Sequence, residues 1–348
     1  MKLTVIAILL VFITGCTDQT VEKNLVIGFG QMPNLVKDNK NNLHVVYGTG
    51  DSIIYSFSSN GGRTFSSPVL ISVLPKLAAS HMRGPQIASF SEGLAVIACN
   101  STGDIFSYVK DEKGNWTQTA RVNDVDTVAK EGLMSLAADG QNAFAVWLDL
   151  RENKQNKIFG AKSNDGGKTW SKNSLIYASP DSTVCECCKP SVAMKGTAVY
   201  VMFRNWLNGN RDLYLIRSSD GGNTFGHAQK LGNGNWALNG CPMDGGGLTI
   251  NKNGDPETVW KRQSKIFACE PGKSEKEIGE GRNCAIESVN GKNIYAWTEN
   301  GKVIILKPQG MKTKLGKGTL PIIKSINGEH IICVWENENQ IYSTLVEL

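Results

Sequence analysis

Very apolar runs that close on an aromatic or a cysteine recur along the chain, at 43–47, 94–99, 143–147, 199–203, 258–260, 294–297 and 331–335. They end in Tyr47, Cys99, Trp147, Phe203, Trp260, Trp297 and Trp335. The same pattern surrounds each run: a strand and turn before it, then a polar loop and a further strand-like stretch, as at 53–57 and 213–217. It predicts antiparallel strands joined by tight turns. A period of about 40–55 residues is the size of a four-stranded propeller blade. Seven units are expected, with six as the alternative. The stretch from Val26 to Phe29 is placed to supply the outer strand of the last blade and close the ring.

A second repeat lies over the first. Ser58-Ser59-Asn60-Gly61-Gly62-Arg63-Thr64-Phe65, Ser163-Asn164-Asp165-Gly166-Gly167-Lys168-Thr169-Trp170 and Ser218-Ser219-Asp220-Gly221-Gly222-Asn223-Thr224-Phe225 share the pattern S-x-[DN]-G-G-x-T-[FW]. Asp or Asn folds its side chain back onto the backbone, and the glycines supply positive φ without steric cost. The threonine hydroxyl can close the loop, and the aromatic returns the chain to an apolar layer. Each copy follows a strand-like run and is expected as a hairpin turn. The last three units lack it.

This phrase resembles the Asp box, or bacterial neuraminidase repeat, of the sialidase-like β-propellers, over most of the chain after residue 30. The resemblance implies an all-β chain folded as a single β-propeller of four-stranded antiparallel blades. It also implies Asp-box turns that lie away from the central site. The segment from Cys185 to Asp212, followed by Trp236 and Cys241-Pro242-Met243-Asp244-Gly245-Gly246, is similar to a subgroup of exported bacterial sialidase-like proteins.

The N-terminus reads as a processing signal. Lys2 precedes an apolar run from Leu3 to Ile13, too short to span a bilayer comfortably, and Ile13-Thr14-Gly15-Cys16 resembles a bacterial lipobox. The expected organisation is a lipoprotein signal peptide at 1–15, a lipid-anchored linker at 16–25 with Cys16 lipidated, and the propeller at 26–348. The expected place is the bacterial cell envelope, on its periplasmic or cell-surface side, with the membrane as partner through the lipid. A formal charge of +5 on 348 residues, with basic and acidic positions interspersed, does not point to nucleic acid. Gly at 37 positions suits a compact all-β fold with many turns. A monomer is expected.

Antiparallel pairing puts the start of each innermost strand and the end of each second strand on one face. That face collects Arg83, Glu131, Cys188-Lys189-Pro190, Met243-Asp244 and Arg282-Asn283-Cys284 from strand starts. It collects Asp149, Arg204-Asn205-Trp206, Lys261-Arg262, Glu299 and Glu336 from strand ends. Funnel mouths are where propellers bind ligands. Arg83, Arg204, Arg262 and Arg282, with Trp206, are therefore the candidate substrate-binding residues, because converging guanidinium groups call for an anion. Sialidase resemblance implies an arginine clamp on the substrate carboxylate, a tyrosine nucleophile activated by a glutamate, and an aspartate acid/base. Glu280 and Glu299 are candidates for general acid/base carboxylates, and Asp149 or Asp244 for the acid. The family's early Phe/Tyr-Arg-Ile-Pro motif is absent. Tyr342 aligns in the repeat with Tyr55, Phe159 and Tyr214, as a structural aromatic of the third strand.

Besides Cys16, eight cysteines remain. Cys185, Cys187, Cys188, Cys241 and Cys284 all open inner strands of adjacent units. They are expected either as disulfides, with Cys241 and Cys284 the natural partners of the cluster, or as a soft-metal site for copper or zinc. No other cofactor is expected. The leading reading is a lipid-anchored propeller that binds, or binds and hydrolyses, an anionic glycan in its funnel. The alternatives are a non-catalytic scaffold or binding propeller, and a thiolate metal-binding protein.

Overall fold

The apolar runs become the second strands of seven antiparallel sheets, each of four strands. The computed structural model describes residues 24–348. The expectations placed on 1–15, on Cys16 and on most of the 16–25 linker lie outside the described residues. The inner strands of blades 1 to 7 are Gln31–Lys37, Gln86–Ser89, Met134–Asp139, Ser191–Lys195, Gly246–Ile250, Arg282–Val289 and Thr319–Ser325. The strand Leu25–Phe29 pairs antiparallel with Gln340–Glu347 and is the outermost strand of blade 7. The ring is thus closed by joining the two ends of the propeller in one sheet, and the blade count is seven.

Burial explains why the second strands are so apolar. They lie inside their blades, and in the six runs that end in an aromatic that ring packs on the preceding blade. Trp147 joins Ile97 and Ile105 of blade 2, Trp297 joins Val259 and Ile266 of blade 5, and Tyr47 joins Ile332 and Ile341 of blade 7. Trp147, Trp297 and Trp335 are among the largest fully buried side chains. The core is therefore a ring of interfaces between neighbours rather than one central mass, and the axis is left open.

The glycine-rich phrases connect third to fourth strands at the end opposite the inner-strand starts. In the third copy the Asp220 carboxylate accepts the Thr224 N–H at 2.9 Å and the Thr224 hydroxyl at 2.6 Å, while Ser218 Oγ accepts the Gly222 N–H at 2.9 Å. Asn60 makes the same closure by accepting the Thr64 N–H and donating to the Thr64 hydroxyl. Gly222 has φ +85°, and a Cβ there would lie 2.1 Å from Phe144 Cε2 of the preceding blade. The second glycine is thus required twice, by its backbone and by its contact.

The mouth of the channel is shaped by irregular strand starts. Pairing slips between Gln31 and Asn34, between Arg282 and Ala285, and between Thr319 and Ile322. At these bulges Met32, Asn283 and Leu320 take φ of 55–56°. Bulges of this kind re-aim side chains at the ends of sheets, and here they do so in three blades at the same level. Pro33 and Pro321 lie within the slips. An innermost strand is the edge of its sheet, so a missing N–H facing the channel costs no ladder bond.

Candidate functional site

At the mouth lies a cavity of about 240 Å³ whose polar lining includes Gln86, Ser135, Lys189, Asp244 and Asn283, with Cys284 beside them. A second cavity of about 560 Å³ continues along the axis, past Ser89, Ala137, Met194 and Lys324. Gly245, Gly246 and Gly247 open blade 5. A Cβ on Gly245 would meet the Lys189 carbonyl at 2.6 Å, so the absence of side chains lets blades 4 and 5 close up on the mouth.

Lys324 also lines the mouth cavity but is paired with Glu287 at 2.9 Å, which leaves Lys189 as the cation without a carboxylate partner. Lys189 Nζ donates to Gln86 Oε1 at 2.9 Å. Gln86 is fixed in turn, its amide donating to the carbonyls of Gly84 and Pro85. Among the described residues no carboxylate pairs with Lys189. Burial therefore acts unopposed and pulls the ammonium down to about 8. The sequence placed Lys189 at the mouth but did not mark it as a site residue. The available signal was its register, at the start of an inner strand, between starts whose acidic side chains are Glu131, which Arg83 engages, and Asp244.

Asp244 is fully buried in the cavity wall. Its Oδ2 accepts the Asn283 N–H at 2.8 Å, and its Oδ1 has no hydrogen-bond partner among the described residues. Burial raises this carboxyl above the ordinary range, partly offset by the Asn283 N–H and by Arg204, Lys261 and Arg282. The Cys284 thiol is held well up by burial and by Asp244.

None of the four arginines expected as a guanidinium clamp lines the cavity. Arg204 is 2% exposed and donates to the carbonyls of Arg211 at 2.7 Å, Lys261 at 2.8 Å and Asp244 at 3.4 Å. It braces blade 4 against blade 5. Arg262 pairs with Glu275 at 2.6 Å and lies over Phe267, away from the axis. Arg83 is bound to Glu131 through the carbonyl at 2.6 Å and the carboxylate at 3.3 Å. Arg282 is exposed and reaches the Met243 carbonyl at 3.5 Å. Arg204 and Arg282 thus meet at the 243–244 segment, and Arg83 and Arg262 stand apart. Trp206 supports the Arg211 guanidinium at 4.1 Å from its ring and does not line the cavity.

Three of the four candidate catalytic carboxylates are likewise placed elsewhere. Asp149 is buried and held by Trp147 Nε1 at 2.8 Å and by both ends of the Arg151 guanidinium at 2.9 and 2.8 Å. Glu280 lies on the outer strand of blade 5, paired with Lys265. Glu299 ends a second strand at the rim, 4.0 Å from Lys312. Tyr342 stacks on Trp335 and its hydroxyl meets Gln340, as a third-strand aromatic. Repeat register decides which end of the propeller a residue occupies. It does not decide whether a side chain turns to the axis or into a blade interface.

The sulfurs divide. Cys187 and Cys241 form a disulfide that ties the loop entering blade 4 to the loop entering blade 5. Cys185, Cys188 and Cys284 are free thiols. Cys185 Sγ is 3.4 Å from Cys188 Sγ and 3.8 Å from Cys187 Sγ. Arg211 Nη1 donates to Cys185 Sγ at 3.0 Å. The Cys188 thiol as donor and the charges of Arg211 and Arg204 bring Cys185 down to about 7 despite its burial. Cys188 is pushed well up by burial and by Cys185. For a metal, Cys185, Cys187 and Cys188 are close enough, but Cys187 is already bonded and two guanidinium groups oppose a cation beside the other two.

Fold and site together define a seven-bladed β-propeller with a polar cavity at one mouth of its channel. No family model matches the chain, and no curated protein does. Among solved structures it is similar to an α-L-arabinanase of Penicillium chrysogenum complexed with arabinobiose, at 12% identity over 94% of this chain and 99% of that one, with a TM-score of 0.55. It is similar to an α-L-arabinofuranosidase of Fusarium graminearum in complex with an iminosugar inhibitor, at 13% identity over 94% and 98%, with a TM-score of 0.57. An ulvan lyase bound to a GlcA–Rha3S saccharide aligns at 9% identity over 92% and 94%, with a TM-score of 0.55. At these identities the likeness shows the fold alone.

Proposed function

We propose that the protein is a glycan-binding propeller that holds an anionic saccharide at the mouth of its channel, anchored to the bacterial cell envelope as a monomer through a lipid on Cys16. The observation that carries this reading is Lys189, an ammonium facing the cavity with an amide as its hydrogen-bond partner and no carboxylate among the described residues. A carboxylate or sulfate on the ligand supplies the missing counter-charge. Ser135, Gln86 and Asn283 add hydrogen-bonding groups suited to hydroxyls. The saccharides and sugar mimic named with the similar structures support the class of ligand. The lipobox-like segment supports the placement.

Binding is favoured over hydrolysis by the count of carboxyls. Most glycosidases set two of them about 5–10 Å apart across the scissile bond, whereas Asp244 is the only carboxyl residue among the described residues that lines the mouth cavity. Titration calorimetry with glucuronate, galacturonate and sialic acid, and with glucose as the neutral control, tests the reading. The acidic sugars should bind and glucose should not, and Lys189→Ala should lose the acidic sugars. Equal binding of acidic and neutral sugars, or full binding by the variant, would overturn it.

A further inference from the structure

Four sulfurs meet where blades 4 and 5 join, and they are in two oxidation states. The Cys187–Cys241 disulfide reaches the surface, with Cys241 exposed and Cys187 half-buried. Beneath it Cys185 and Cys188 are buried thiols at 0% and 2% exposure. They form a C-x-x-C pair whose sulfurs are 3.4 Å apart. Cys185 also lies 3.8 Å from the disulfide sulfur of Cys187. One sulfur therefore touches both its own thiol partner and an oxidised neighbour.

The surroundings separate Cys185 from the other free cysteines. Arg211 donates to its sulfur at 3.0 Å, Arg204 lies close by, and Glu186 takes only part of the Arg211 charge, at 3.3 Å. Cys99, Cys269 and Cys333 have no such cation and are held as thiols by burial. A guanidinium group beside a sulfur favours the nucleophilic thiolate and disfavours a metal cation.

We propose that Cys185, Cys187, Cys188 and Cys241 form a thiol–disulfide relay that passes two electrons from the buried pair to the exposed pair. The Cys185 thiolate attacks Cys187 Sγ. A Cys185–Cys187 bond forms, the Cys187–Cys241 bond breaks, and Cys241 leaves as a thiolate. Cys188 gives its proton to Cys241 and attacks Cys185 Sγ. The Cys185–Cys188 bond forms, the Cys185–Cys187 bond breaks, and Cys187 leaves as a thiolate. One disulfide and one negative charge are present throughout, so the exchange needs no outside oxidant. Its product exposes a dithiol at Cys187 and Cys241, open to exchange with a soluble disulfide. The relay is independent of what the channel binds.

Acid quenching at intervals, alkylation and peptide mapping of the wild-type chain test the relay. Two isomers should appear, one with Cys187–Cys241 and one with Cys185–Cys188, each with the other two cysteines alkylated. Cys188→Ser should trap the Cys185–Cys187 bond. Arg211→Gln should slow interconversion about tenfold at pH 7 by lowering the thiolate fraction. The mapping is done on wild-type protein, so it stands even where a variant fails to fold. Persistence of Cys187–Cys241 as the sole isomer would overturn the proposal. So would both disulfides in one molecule, or zinc or copper retained one per chain on Cys185 and Cys188.

Discussion

Lys189 Nζ and Gln86 Oε1 lie 2.9 Å apart, joining the start of blade 4 to the inner strand of blade 2 past the start of blade 3. The bond orients the ammonium but does not neutralise it. Asn34 Nδ2 also donates to the same Gln86 oxygen at 3.3 Å, so that acceptor is shared. The cavity therefore has a positioned cation with unfilled demand for negative charge.

That arrangement gives a pH signature. Lys189 is drawn down to about 8 from an ordinary lysine value near 10.5. Affinity for an acidic sugar should be level below about pH 7 and fall up to tenfold per unit above pH 8, as the free protein loses the ammonium. The sign for folding is opposite. Burial penalises the charged form, so the penalty is complete below pH 8 and is relieved as pH rises from 8 towards 10.5. Calorimetric titrations and urea midpoints between pH 6 and 10 read both trends, and Lys189→Met should flatten both. An affinity that climbs above pH 8 would contradict the assignment.

Arg204→Ala should act on stability rather than on recognition. Its guanidinium satisfies carbonyls of Arg211, Lys261 and Asp244 from a buried position. Truncation orphans those acceptors and leaves a void between blades 4 and 5, at a cost of about 3–5 kcal/mol. Denaturant unfolding measures the loss. A variant of unchanged stability that fails to bind acidic sugars would instead restore Arg204 to the ligand.

The contrast between Lys189 and Arg204 shows what the sequence could disclose. Apolar runs ending at Trp147, Trp297 and Trp335 revealed the blades because each run must fill two interfaces at once, which leaves a strong periodic mark. Ring closure was visible for the same reason, since Val26 to Phe29 offered the one spare strand. Arginine roles left no such mark. Arg262 is taken by Glu275, which comes from a segment preceding an outer strand, and Arg204 by main-chain carbonyls, which have no sequence identity. The place of Asp244 at the mouth and the Cys187–Cys241 pairing were legible because both open adjacent inner strands, where the repeat itself brings distant positions together.

The glycine-rich turns separate backbone demands from packing demands. Gly221 has φ +71° and open space where a Cβ would stand, with no atom within 4 Å, whereas Gly222 has φ +85° and Phe144 at 2.1 Å. Gly221→Ala should therefore cost about 1 kcal/mol, the strain of a left-handed alanine. Gly222→Ala adds displacement of a buried ring and should cost about 3 kcal/mol or more. Urea midpoints compare the two, and equal losses would show that the interblade contact contributes nothing.

Asp244→Asn should move binding and stability together in the favourable direction. The native carboxyl is raised by burial, so its contribution to stability is complete below the unfolded value near 4 and is lost as pH rises through the folded value. Asparagine keeps an oxygen for the Asn283 N–H and removes the buried charge. Relative to wild type, the variant should therefore be equal in stability near pH 4 and gain as pH approaches 7. Loss of a negative charge from the cavity wall should also raise affinity for an acidic sugar by about threefold to tenfold at low salt, with the gain shrinking as salt screens it. Denaturation at the two pH values and titration at two salt concentrations give four readings. Weaker acidic-sugar binding by Asp244→Asn with its fold intact would mean that the carboxyl contacts the ligand as an acceptor, and the electrostatic account of the cavity would fail.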